Sequence, residues 1–191
     1  TRKMLGIPTA FHYLGPMTNP ARVSSSAIGV ANPQMVEKMA WVFANRGDHA
    51  LIFRGDDGLD ELTIATTSQI WEASGGTLQK YVFNPEGYGI ERSSLDNLRG
   101  GDAEYNASVF RAVLAGEGES AKDSLHAIRN AVLINAAAGL IAYRKNDGRS
   151  FEERYTEALA DARQSIDTGA AAQVLNAWVE FSHLVVETPS P

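Results

Sequence analysis

The chain has 191 residues, 44% of them hydrophobic and 21% charged, with a formal net charge of −6. This is ordinary globular composition at a length that can bury a core. The scattered Lys and Arg argue against a nucleic-acid surface, which needs a concentrated basic stripe. With no cysteine, disulfides, zinc–thiolate sites and thiol nucleophiles are excluded. The longest near-apolar run, 131–143, is interrupted by Asn135 and is too short to span a bilayer. No secretory signal is read, so the expected location is cytoplasmic. Opening on Thr1, the chain is expected to be part of a longer product.

In chain order, residues 9–14 read as a short strand closed by Gly15-Pro16 and the turn-rich Thr18-Asn19-Pro20. A second strand covers 27–30. Asn32-Pro33 then starts a helix, Asn as N-cap and Pro at the first helical position. Val36, Met39, Ala40 and Phe43 recur at helical spacing, and Gly47 closes the helix. The apolar run 50–53 is a buried strand, which makes a strand–helix–strand unit and an expected parallel pair. Residues 70–73 and 78–83 are two further strands around Gly75-Gly76.

From Asp102 the chain becomes helical. Asp102 caps a helix whose apolar face is Val109, Phe110, Val113 and Leu114, ended by Gly116. The next, 121–143, is rich in small residues and expected to be buried. A third lines up Phe151, Tyr155, Leu159, Ala162 and Ile166, and Gly169 ends it. The last presents Val174, Trp178, Phe181 and Val185. The class is α/β, with strands early and helices late. So few strands make a thin sheet for this helical surface; further strands from outside this chain would pair with an edge left open here.

The loop that follows strand 50–53 carries Asp56, Asp57, Asp60 and Glu61 between Gly55 and Thr63. Carboxylates there fall at the strand end where open α/β sheets bind ligands. Hard oxygen donors suit Mg²⁺, which commonly accompanies phosphate-bearing substrates. Taken alone, the loop reads first as a solvated acidic turn, with Glu61 gaining only from a nearby helix N-terminus. It is not an EF-hand, because the required Gly and terminal Glu are out of register. An acidic protein binds a polyanion only where metal ions and a local cationic pocket offset the repulsion.

Other candidates are less specific. Arg2 and Lys3 flank an apolar-rich segment, and Arg2 forks onto a carboxylate in a way Lys cannot. His12, His49, His126 and His183 show no metal-ligand spacing. Trp41, Trp71 and Trp178 are expected in the core. Phosphate-loop, nucleophile-elbow and dinucleotide fingerprints are missing; Arg92 stands where the third Gly after Gly87 and Gly89 would be.

The residues 11–21, Phe-His-Tyr-Leu-Gly-Pro-Met-Thr-Asn-Pro-Ala, resemble the F-N-x-L-G-P-L-T-N-P-A signature of the anthranilate phosphoribosyltransferase family. Gly55 to Thr63 resembles that family's metal-binding loop. Gly100-Gly101-Asp102 with Asn106-Ala107 and Arg111 to Gly116, then Leu133 to Ala137, then Ile166 to Ala171, are similar to its later motifs, in the same order. His12 departs from the pattern by standing where the family has Asn.

The resemblance implies an α/β fold, a central sheet flanked by helices in a nucleoside phosphorylase/phosphoribosyltransferase-like catalytic domain. It implies phosphoribosyl transfer from phosphoribosyl pyrophosphate to anthranilate in tryptophan biosynthesis, by a homodimer. Asp60 and Glu61 fall on the family's Mg²⁺ ligands, Arg2 on its anthranilate-contacting Arg, and Gly15 on the loop lining the anthranilate site. No catalytic base is assigned, and an aromatic amine, uncharged at neutral pH, does not demand a strong one.

The family's glycine-rich phosphate loop and N-terminal helical, dimer-forming region do not occur here. Residues 1–191 are therefore expected to be the C-terminal part of the large catalytic domain, inactive alone, with neither nucleic acid nor membrane as partner. Two rivals share the fold: a pyrimidine-nucleoside phosphorylase-like enzyme, and a nucleic-acid-binding paralogue marked by lost carboxylates and a basic groove.

Overall fold

A computed structural model describes residues 11–21 and 23–187. Helix α1 (Phe11–Met17) leads to strand β1 (Ser25–Gly29), helix α2 (Pro33–Arg46) and strand β2 (His49–Gly55). Strands β3 (Ser68–Ser74) and β4 (Thr77–Phe83) follow, then α3 (Ala103–Leu114), α4 (His126–Arg144), α5 (Phe151–Asp167) and α6 (Ala170–Glu187). The sheet runs in the order β1-β2-β3-β4. β1 and β2 are parallel, as the intervening helix requires, whereas β2–β3 and β3–β4 are antiparallel.

The sheet is covered on both faces, which is why β2 reads as an unbroken apolar run. Leu51 and Phe53 point to a core shared with Ile70, Phe83, Leu133, Ile141 and Tyr155. Their neighbours Ala50 and Ile52 point the other way, onto Val36, Met39 and Phe43 of α2. Two-residue alternation thus distributes β2 between α4–α5 on one side and α2 on the other.

Local signals act where they were read. The Asn32 side chain accepts from Gln34 N at 2.9 Å, and Gly47 ends α2 in the left-handed conformation. Asp102 Oδ1 accepts from Tyr105 N at 2.9 Å to start α3. Ser150 and Glu153 form a reciprocal capping box at α5.

Several expectations are corrected. Residues 11–14 are helical, not extended: Tyr13 and Met17, four apart, pack together against the α2 cluster. The glycine-proline pair therefore lies in the last turn of α1, which stops one residue after Pro16. The α4 helix begins at His126 rather than 121, because Asp123 Oδ1 and Oδ2 bind Leu125 N and Gly118 N and hold the preceding residues in turns.

On α3 only Val113 and Leu114 are buried, and Phe110 is exposed. On α6 the partly buried stripe is Ala171, Ala172 and Leu175, while Val174, Trp178 and Phe181 face outward. Trp41 is also exposed and Trp71 half-buried, so of the three tryptophans none is fully enclosed.

Charge is also enclosed in the core. Glu72 on β3 receives two parallel bonds from Arg154 of α5, at 2.8 and 2.7 Å. His49 Nε2 lies 3.2 Å from the same carboxylate and its Nδ1 2.6 Å from the Ala142 carbonyl oxygen, while Tyr81 donates to it at 3.2 Å. Burial opposes the charge on Glu72, but the bonds from His49 and Arg154 outweigh it and hold the carboxyl at about 2.

Candidate active site

The parallel pair ends at Gly29 and Gly55, and the β2–β3 loop folds back across that edge. The turn closes by Gly58 N to Gly55 O (3.0 Å) and Gly55 N to Leu59 O (2.9 Å), with Gly58 at a φ of 103° that favours glycine. Four carboxylates looked alike in the sequence, and the fold separates them. Asp56 accepts from Thr67 Oγ1 at 2.5 Å and from Gln69 Nε2 at 3.0 Å, and Asp57 accepts from Leu59 N at 3.1 Å. Both therefore serve the loop itself. Asp60 and Glu61 are exposed and set against each other. Partial burial, with the Asp60 and Asp57 charges close by, pushes the Glu61 carboxyl above its usual range.

Gly29 sets the position of this pair. A Cβ there would overlap the Asp60 carbonyl oxygen and lie 2.7 Å from its carbon, so β1 and the loop touch backbone to backbone. Gly29→Ala forces one of the two to move. It is expected to cost about 1–3 kcal/mol, read as a lower midpoint of denaturant unfolding.

On one side of Gly29 is a cavity of about 240 Å³, lined by Tyr13, Pro16, Val30, Asn32 and Met39. Asn32 Nδ2 donates to Tyr13 Oη at 3.0 Å, which joins α1 to the start of α2. Gly15 is exposed, with open space where a side chain would be. Glu61 borders a larger cleft of about 500 Å³, together with Arg99, Tyr105, Asn106, Val132 and Asn135. The fold thus brings the α1 turn and the acidic pair to the two sides of one strand end. Arg2 and Lys3 lie outside the described residues.

Among the described residues no group of three or more His, Cys, Asp or Glu side chains could hold a metal. Two adjacent carboxylates still fit Mg²⁺, which keeps several waters and is held by one or two carboxylates plus substrate phosphates. Such an ion would relieve the crowding of negative charge at Glu61.

The sequence did not single out the side chains that brace the walls of the larger cleft. Asn135 binds the backbone of Leu62, and Asn106 binds Gly101 through both N–H (2.9 Å) and C=O (3.0 Å). For Asn135 the available signal was an amide interrupting an apolar helical run, since a partly buried amide needs partners.

A strand end carrying two exposed, adjacent carboxylates beside two clefts is the kind of place where open α/β domains bind ligands. Residues 1–172 match the glycosyl transferase family, a/b domain, and the chain belongs to that family. It is 50% identical over 181 residues to the anthranilate phosphoribosyltransferase of Acidothermus cellulolyticus, covering 95% of this chain and 49% of that protein.

Solved structures agree. The Thermus thermophilus anthranilate phosphoribosyltransferase superposes with a TM-score of 0.77 at 33% identity, over 94% of this chain and 50% of that one. The Saccharomyces cerevisiae enzyme, in complex with PRPP (phosphoribosyl pyrophosphate) and Mg, gives 0.81 at 26% identity, over 94% and 48%. The same yeast enzyme has been solved with 4-fluoroanthranilate. The chain spans about half the length of the relatives it matches. No described helix is long and apolar enough to cross a membrane.

Proposed function

We propose that the complete protein containing this chain transfers the phosphoribosyl group from phosphoribosyl pyrophosphate to anthranilate, in tryptophan biosynthesis. The observation that carries this reading is the placement of Asp60 and Glu61, exposed and adjacent, at the strand end of a chain similar throughout its length to anthranilate phosphoribosyltransferases. Mg²⁺ held there would stabilise the charge that builds on the departing pyrophosphate. Asp60 and Glu61 supply its carboxylate oxygens, and Gly29 keeps them at the strand end. Arg2 orients the anthranilate carboxylate so that the neighbouring amine faces the ribose, a positioning effect, with Gly15 on the loop beside it.

Residues 1–191 are the C-terminal part of the large catalytic domain. The phosphate-gripping loop and the helical region that makes the homodimer belong to the remainder of a cytoplasmic protein. The complete protein is expected to quench anthranilate fluorescence only when phosphoribosyl pyrophosphate and Mg²⁺ are both present, and the 191-residue chain alone to be inactive. Turnover by the purified 191-residue chain would refute the division of labour. Failure of the complete protein to consume anthranilate would refute the reaction.

A further inference from the structure

We propose that Asn135, on α4, is a positioning residue that presets the Asp60–Glu61 pair for the divalent cation; this rests on the metal reading above. Its side-chain amide behaves as a neighbouring strand would. Oδ1 accepts from Leu62 N at 3.0 Å, and Nδ2 donates to Leu62 O at 2.9 Å and to Ala131 O at 3.0 Å. Both amide hydrogens are therefore used, and the peptide units on either side of Leu62, next to Glu61, are anchored to a buried helix.

Three other contacts limit the same stretch. The Leu62 side chain is enclosed in the core. The following amide, Thr63 N, is bound by Ser68 Oγ at 3.0 Å. On the opposite side the Asp60 carbonyl rests on Gly29. The acidic pair thus lies between two fixed points, and among the described residues Asn135 alone supplies a side chain that binds both polar groups of Leu62. Neighbouring like charges repel and separate when the backbone is free. Held in place, they meet the cation without reorganising, and partners that orient ligating carboxylates typically contribute about 10–100-fold in metal affinity.

The test uses the complete protein with Mn²⁺ as probe and phosphoribosyl pyrophosphate present, but no anthranilate, so that no turnover occurs. Free Mn²⁺ is followed by electron paramagnetic resonance. Asn135→Leu, similar in bulk, and Asn135→Ala, a strong helix former, are each expected to weaken Mn²⁺ binding about tenfold or more. In both, the Leu62 amide is expected to exchange its hydrogen faster.

Tyr155→Phe removes one buried bond, to Ile134 O at 2.6 Å, on the same helix. It is expected to leave Mn²⁺ affinity unchanged. Asp60→Ala/Glu61→Ala is expected to lose Mn²⁺ binding. If that double variant loses the metal while both Asn135 variants bind as wild type, the Asn135 inference is overturned and the metal reading stands. Equal weakening by Tyr155→Phe overturns the inference too, because general destabilisation would then suffice. Retained Mn²⁺ affinity in the double variant sinks both.

Discussion

Asp60→Ala/Glu61→Ala in the complete protein is expected to lower anthranilate-dependent turnover by at least ~10³-fold and to abolish its Mg²⁺ dependence, which corresponds to about 4 kcal/mol of transition-state stabilisation. Pyrophosphate departs from the anomeric carbon as negative charge accumulates on its oxygens. A divalent cation at that point offsets the charge directly. Stability is expected to move the other way, or not at all. Both carboxylates are exposed, and Glu61 is strained by partial burial beside the charges of Asp60 and Asp57. The melting temperature of the double variant should therefore equal or exceed that of the wild type. Loss of turnover with retained folding assigns the effect to the site. Unchanged turnover with unchanged Mg²⁺ dependence contradicts the assignment of the metal.

The second large effect concerns the fold. Arg154→Ala leaves the Glu72 carboxylate buried without its two-pronged partner, and breaking such a pair costs about 3–5 kcal/mol. For a domain of this size that is a fall in Tm of roughly 6–20 °C, at about 2–4 °C per kcal/mol. Glu72→Met/Arg154→Leu is expected to be less damaging than either single change, because no charge is left stranded.

The pair also predicts an acid limit. Glu72 is held at about 2 against an ordinary 4.5. Its contribution is fully present above pH 4.5 and is lost as the pH falls toward 2. The difference is worth on the order of 3 kcal/mol. Urea unfolding at pH 6 and pH 3 should show that dependence in the wild type. In Glu72→Met/Arg154→Leu it should be weakened; an unaltered acid profile there would show that Glu72 is not its source.

Legibility followed the range of each interaction. Asn32, Gly47 and Asp102 act on atoms two to four residues away, and their roles were readable from their positions. The buried run of β2 and the strand pair around Gly75-Gly76 were equally plain. Sequence pattern alone misjudged α6, which carries two apolar stripes, and α1, which was read as a short strand. In both, the deciding factor was which stripe found a surface to cover.

The acidic loop divides the same way. The sequence by itself determined that four carboxylates follow a buried strand, and the order of the surrounding motifs placed the chain in its family. Only the tertiary structure decided that Asp56 and Asp57 are taken up by the loop while Asp60 and Glu61 stay turned outward. It also decided that Asn135, 73 positions away, grips Leu62, and that Glu72 meets Arg154 across 82. Caps and strand alternation depend on neighbours within a few residues and are written locally. A buried amide or charge needs a partner that packing alone brings near, and no local pattern names it.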